Sequence, residues 1–180
     1  MRIGFITDLS DDDFRFAAEH GFPCVEHISF GAVDIAERTD EIRGRMDAHG
    51  IDFSMLALFT QNYISDSRDV AAESFRQAQA LIDLCQDLGA PLMVTCAGEA
   101  EGRPLEENAR RAVDALGDLI DYGKPRGVNI ALYNCHITNF AYAPPAWDLI
   151  LPKLPDLSLK FDPSHALYDG RDNLAELRDW

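Results

Sequence analysis

Hydrophobic residues along this chain fall into short, nearly unbroken runs, separated by longer stretches in which they recur every three or four positions. The short runs cover 3–6, 24–28, 53–58, 92–95, 128–132 and 157–161. Brief apolar runs bounded by turn residues predict strands buried on both faces. The longer stretches predict amphipathic helices. Ser10 followed by Asp11, Asp12 and Asp13 marks the first helix, a side-chain cap with acids on the positive end of the helix dipole, and His20-Gly21 ends it. Further helices are expected over 34–49, closed by Gly50, over 69–88, stopped by Gly89, and over 105–122, ended by Pro125 and Gly127. A shorter helix is expected over 145–151. A last one begins near Asn173 and still runs at Trp180, so the chain reads as stopping within an element.

Strands alternating with helices build right-handed βαβ units on a parallel sheet. No linker or low-complexity segment divides the six units, which makes residues 1–180 one domain. An open doubly wound sheet and a (β/α)8 TIM-barrel-like fold that stops after about six units both fit. No G-x-G-x-x-G or G-x-x-x-x-G-K is present, and the first strand leads into Thr7-Asp8-Leu9-Ser10 without a glycine. That weighs against a nucleotide-binding open sheet.

Composition narrows the function. The formal net charge is −15, with 47% hydrophobic and 26% charged residues. So acidic a surface repels nucleic acid and anionic lipid, whose binding depends on Lys and Arg. Cys24, Cys85, Cys96 and Cys135 form no C-x-x-C pair and no zinc spacing, and are expected to be buried free thiols of a cytoplasmic protein. The acidic run close behind Met1 is unlike a signal peptide, and no apolar run nears the roughly 20 residues that span a membrane.

Polar residues gather after the C-terminal ends of the predicted strands: Asp8, then Glu26 and His27, Gln61 and Asn62, Thr95 and Cys96, Tyr133, Asn134 and His136, and Asp162 and His165. In a parallel barrel or sheet these ends share one face, where such folds keep their sites. The sequence Phe161-Asp162-Pro163-Ser164-His165 sets a carboxylate and an imidazole at a strand end, groups that bind a divalent metal or move a sugar's protons. Two roles stay open for Asp162, turn cap and ligand. Glu26 is either a site-lining acid or an ion-pair partner. His27 alternates with Glu26 and is expected to point into the helix layer. His20 and His49 sit in last helical turns, where a cation suits the dipole.

These residues resemble the sugar phosphate isomerase/epimerase family of xylose isomerase-like barrels, in the superfamily of AP endonuclease family 2. The resemblance is carried by Arg2-Ile3-Gly4-Phe5, Gly21-Phe22-Pro23-Cys24-Val25-Glu26, the Asn62 region, the run from Gly127 to Cys135, Ala146-Trp147 and, most specifically, Asp162-Pro163-Ser164-His165. It implies a divalent metal (Mn, Mg, Co or Zn) at the barrel mouth and proton transfer between adjacent carbons of a sugar, sugar phosphate or related polyol. Carried over by position, Asp162 is the metal ligand and His165 the histidine that contacts substrate, or a ligand in relatives resembling apurinic endonucleases. Glu26 lines the site with a catalytic role, and Asn62, Tyr133 and Asn134 face the sugar.

The chain departs from that pattern at Leu132-Tyr133-Asn134, where the family reads Ile-Glu-Asn. A neutral phenol, with a pKa of about 10, is a poor ligand for a hard cation. The further histidine and glutamate that the family places after strands seven and eight have no counterpart here, so the chain alone is expected to hold a metal weakly. Two functions follow: a metal-dependent isomerase or epimerase, or a metal-free sugar-binding or degenerate barrel that no longer catalyses. Nucleic-acid repair is disfavoured by the charge. Unpaired edge strands at the first and sixth positions are expected to drive self-association into a homo-oligomer.

Overall fold

The structure is a computed structural model that describes residues 2–30, 33 and 35–180. Six strands, β1 (Gly4–Ile6), β2 (Cys24–Phe30), β3 (Asp52–Phe59), β4 (Leu92–Thr95), β5 (Asn129–Tyr133) and β6 (Leu157–Lys160), form one parallel sheet in sequence order. Every pairing is parallel, from Gly4 opposite Cys24 at one edge to Tyr133 opposite Lys160 at the other. Helices α1 (Asp11–Glu19), α2 (Thr39–His49), α3 (Arg68–Leu88), α4 (Leu105–Gly123) and α5 (Pro144–Ile150) make the crossovers, and α6 (Pro163–Tyr168) and α7 (Asn173–Asp179) follow β6. An order that never reverses is the winding of a barrel rather than of a doubly wound sheet, which turns back at a switch point.

The caps act as the sequence implies. Ser10 accepts from the Asp13 amide, Ser67 from that of Val70, and Gly50 and Gly89 close their helices in the left-handed conformation. His20 bonds the Phe16 carbonyl at 3.0 Å, and His49 bonds Asp11 at 3.0 Å. Two expectations need correction. Strand β2 runs on to Phe30, two residues past the apolar run, because Ser29 and Phe30 still pair with Leu58 and Phe59. The second helix opens with a 3-10 turn, Ala36–Arg38, and Asp34 lies outside the described residues. Asp162 takes the cap role left open for it: it caps α6, with Pro163 at its first position, where a missing N–H costs nothing.

Alternation along the strands sorts side chains between two cores. Phe53, Leu56 and Leu58 of β3, Met93 of β4, and Ile130 and Leu132 of β5 pack outward against the helices together with Phe14, Leu81, Leu116 and Trp147. Met55, Ala57, Val94, Cys96, Ala131, Tyr133 and Cys135 form a second cluster, with Ile28 and Phe59 against it, on the inner face. Trp147 is fully buried and its Nε1–H donates to the Ala141 carbonyl at 2.9 Å. No helix among the described residues is long and apolar enough to cross a membrane.

Trp147→Ala empties the largest site under α5 and orphans that carbonyl. The expected cost is about 3–5 kcal/mol, read from the urea midpoint at constant m-value.

Candidate active site

The candidate site lies where β5 and β6 end. Register puts Tyr133 beside Lys160, and period-two alternation carries Asp162 to the same side as Lys160. Asn134, fully buried, fixes the next step: its Oδ1 accepts from the Asp162 amide at 2.8 Å and its Nδ2 donates to the Asp162 carbonyl at 3.0 Å. Two bonds to the backbone of one residue lock the approach to α6.

A continuous hydrogen-bonded chain follows. Asp162 Oδ1 accepts from Ser164 N at 2.9 Å and Ser164 Oγ at 2.7 Å. Its Oδ2 accepts from Tyr133 Oη at 3.0 Å. Tyr133 Oη also meets His165 Nε2 at 3.0 Å, and His165 Nδ1 meets His136 Nδ1 at 2.9 Å. The phenol has one proton, and the carboxylate can only accept it. Oη is therefore the acceptor for His165 Nε2–H, and His165 Nδ1 accepts from His136 when both rings are neutral. Rings brace the chain: Phe59 stacks on Tyr133 at 4.7 Å, and Tyr168 stacks on His136 at 4.9 Å. Lys160 Nζ sits 4.1 Å from the Tyr133 ring centre and 3.9 Å from Asp162 Oδ2. It must lie on the ring face opposite Phe59, since both do not fit on one.

The electrostatics follow from these contacts. Burial, then the Asp162 carboxylate, pushes the Tyr133 phenol above its ordinary value and keeps it a donor. Burial raises the Asp162 carboxyl, but the Ser164, Tyr133 and Lys160 interactions outweigh it and hold the group below its ordinary value. On the inner face behind Tyr133, Cys96 and Cys135 share one buried cluster, and the Ile137 amide donates to Cys135 Sγ at 3.5 Å. The neighbouring Cys96 leads, with the Ile137 amide and both histidines assisting, in bringing the Cys135 thiol below its ordinary value. The neighbouring Cys135, then burial, pushes the Cys96 thiol up.

The other sequence-derived residues lie elsewhere. Glu26 is the third residue of β2, four positions before Phe30, and its Oε1 meets Ser54 Oγ at 3.4 Å. Four strand residues span about 13 Å, so Glu26 sits well down the inner wall. His27 points away from it, to the Thr7 carbonyl at 3.1 Å. Asn62 uses its amide on the loop after β4, donating to the Glu99 carbonyl at 2.7 Å and accepting from the Glu99 amide at 3.2 Å. Gly98 makes that approach feasible: its φ is +85°, and a Cβ there would meet Asn62 Oδ1 at 2.4 Å. Sequence reasoning missed Lys160, although its spacing from Asp162 placed the two on one side. It also missed Asn139, whose buried amide ties Tyr133 O and Cys135 O to the Ala97 amide. No local pattern announces that bracket.

A metal does not fit these residues as they stand. Among the described residues, no three of His, Cys, Asp and Glu are grouped to share an ion. Both oxygens of Asp162 and both nitrogens of His165 are already engaged.

Parallel strands wound in order, with a polar network at their C-terminal ends, define a barrel-type α/β protein. The profile of the xylose isomerase-like TIM barrel family matches residues 14–180, and the chain belongs to that family. No curated protein matches the sequence. Solved structures share the fold. D-allulose 3-epimerase from Methylomonas sp. superposes with a TM-score of 0.74 at 21% identity, covering 93% of this chain and 64% of that one. The 3-keto-D-glucoside 4-epimerase YcjR from E. coli gives 0.78 at 16% identity, covering 99% and 76%. The probable 3-DHS dehydratase AsbF from Bacillus anthracis gives 0.75 at 19%, covering 100% and 70%. The chain thus spans less than two thirds of the allulose epimerase's length.

Because the Asp162 carboxyl is held low in the folded state, its stabilising contribution is full above the unfolded carboxylate range and is lost as pH falls through the folded value. Asp162→Ala is expected to cost about 1 kcal/mol at pH 7 through the lost cap alone. The difference from wild type should shrink below about pH 4 in urea melts.

Proposed function

We propose that this chain carries the substrate-binding and proton-handling wall of an isomerase or epimerase acting on a small polyhydroxylated carbonyl compound, sugar or polyol. The observation that carries this reading is the unbroken chain Asp162–Tyr133–His165–His136 at the C-terminal ends of β5 and β6. Family membership and the epimerases among the structural neighbours support it.

In this reading Tyr133 orients a substrate oxygen with its hydroxyl, and His165 moves the proton. An imidazolium at His165 directs its two N–H bonds at Tyr133 Oη and His136 Nδ1, provided His136 holds its own proton on Nε2. Asp162 stabilises that cation through the phenol, as in any buried polar network whose members are all paired. Asn134 positions Asp162, and Asn62 positions the neighbouring loop. Glu26 stays outside this chemistry because of its depth along β2. No step is assigned to a metal.

A second reading, sugar binding without turnover, is favoured by one observation: every polar atom of Asp162 and His165 is satisfied within the protein. Proton NMR in D2O separates the two. The protein is incubated with D-allulose, D-fructose or D-tagatose, and the signal of the C–H beside the carbonyl is followed. The first reading expects it to fade, with His165→Gln slowing exchange by about 100-fold or more and Tyr133→Phe by about 10-fold. Calorimetric binding with no exchange would establish the second reading instead.

A further inference from the structure

Four rings touch in series across the barrel mouth. Phe30 meets Phe59 edge-on at 5.9 Å, Phe59 stacks on Tyr133 at 4.7 Å, and Tyr133 meets His165 edge-on at 5.3 Å. The series runs from an apolar end at Phe30 to the proton-handling end at His165. The same four residues, with Thr60 and Ile137, line a cavity of about 210 Å³, and the buried Cys96 and Cys135 complete its wall. Its walls are mostly apolar, with two hydroxyls and one imidazole as the polar groups, the usual make-up of a small-molecule site. Phe30 and Ile137 are 71% and 59% exposed, so apolar surface faces water at the rim until something covers it.

Two further features narrow what that is. Among the described residues lining the cavity, none is a lysine or an arginine. Lys160 lies over the Tyr133 ring on the face away from Phe59, drawn to Asp162 Oδ2 at 3.9 Å. A phosphate group here would have no cation of its own and would face the Asp162 carboxylate through the phenol. Thr60, the residue after β3, has a φ of +73°, a left-handed conformation that β-branched residues rarely adopt. Strain of this kind persists where the surrounding structure has to hold a side chain in one place.

We propose that the cavity binds an uncharged sugar that ends in a methyl group, of the 6-deoxy-ketose class. The carbonyl end lies at Tyr133 and His165, the methyl lies against Phe30, Phe59 and Ile137, and Thr60 holds a hydroxyl between them. A terminal CH2OH in the same place gives up its water without gaining a partner, whereas a methyl has no such loss. This specificity rests on the reading of the site as one for polyhydroxylated carbonyl compounds.

Titration calorimetry on the full chain compares three C6 forms of D-allulose, D-fructose and D-tagatose: the parent, the 6-deoxy and the 6-phosphate. On the skeleton that binds best, the 6-deoxy form is expected to bind about 10-fold tighter than the parent, and the 6-phosphate about 100-fold weaker or worse. Phe30→Ser and Ile137→Ser alter exposed side chains, with circular dichroism confirming the fold. Together they should bring the ratio of 6-deoxy to parent affinity down to about 1. Thr60→Gly relieves the strained φ, so it should not lower the melting midpoint, yet it should weaken every sugar about 5-fold alike. A parent that binds as well as its 6-deoxy form, a 6-phosphate that binds better, or a preference that survives both serine substitutions would overturn the assignment. So would wild-type affinity in Thr60→Gly. Deuterium exchange beside the carbonyl is followed on the same sugars. Binding or exchange without a C6 preference removes this specificity and leaves the proposed function standing, whereas sugars that neither bind nor exchange remove both.

Discussion

The paired hydrogen bonds between the buried Asn134 carboxamide and the backbone N–H and C=O of Asp162 set the geometry of the barrel mouth. They join the residue after β5 to the residue that caps α6, beyond the reach of the last ladder pair, Tyr133 with Lys160. A carboxamide can satisfy an N–H and a C=O together, which neither a carboxylate nor a hydroxyl does in one planar contact. With that backbone fixed, the Asp162 carboxylate divides its oxygens between the helix cap and the Tyr133 phenol. Everything beyond it, from His165 to His136 and the ring of Tyr168, takes its place from that division.

The same constraint explains why a tyrosine works at a position where the family resemblance implies a glutamate. A glutamate beside Asp162 would put two negative charges in a half-buried site and call for a cation between them. The phenol instead turns the carboxylate into its acceptor and passes one lone pair to His165. Phe59 and Lys160 close the two faces of its ring, so the hydroxyl is held in one direction. The site is thereby satisfied by protein groups alone.

Much of this was legible in the chain. Apolar runs located all six strands, and Ser10, Gly50 and Gly89 located helix ends, because these signals act within a few residues of backbone. Asp162 and His165 were legible as a pair at a strand end. Where prediction slipped, the controlling partner was remote. Ser29 and Phe30 joined β2 only because β3 offers them a ladder. The sequence also left unread that the Asn62 and Asn134 carboxamides bind the backbone at Glu99 and Asp162, 37 and 28 residues away. Glu26 shares the inner face but not the level of the site, a difference set by strand length.

The sequence by itself therefore determined the alternation of strands and helices, the inward and outward parity of each strand, and the presence of a carboxylate and an imidazole beyond β6. Those properties follow from local hydrogen bonding and periodicity. Tertiary structure alone decided that Tyr133 stands between Asp162 and His165, that His136 continues the chain, and that Cys96 and Cys135 share one cluster behind it. These are contacts between strand ends about 30 to 40 residues apart, and only the register of a parallel sheet brings such ends side by side.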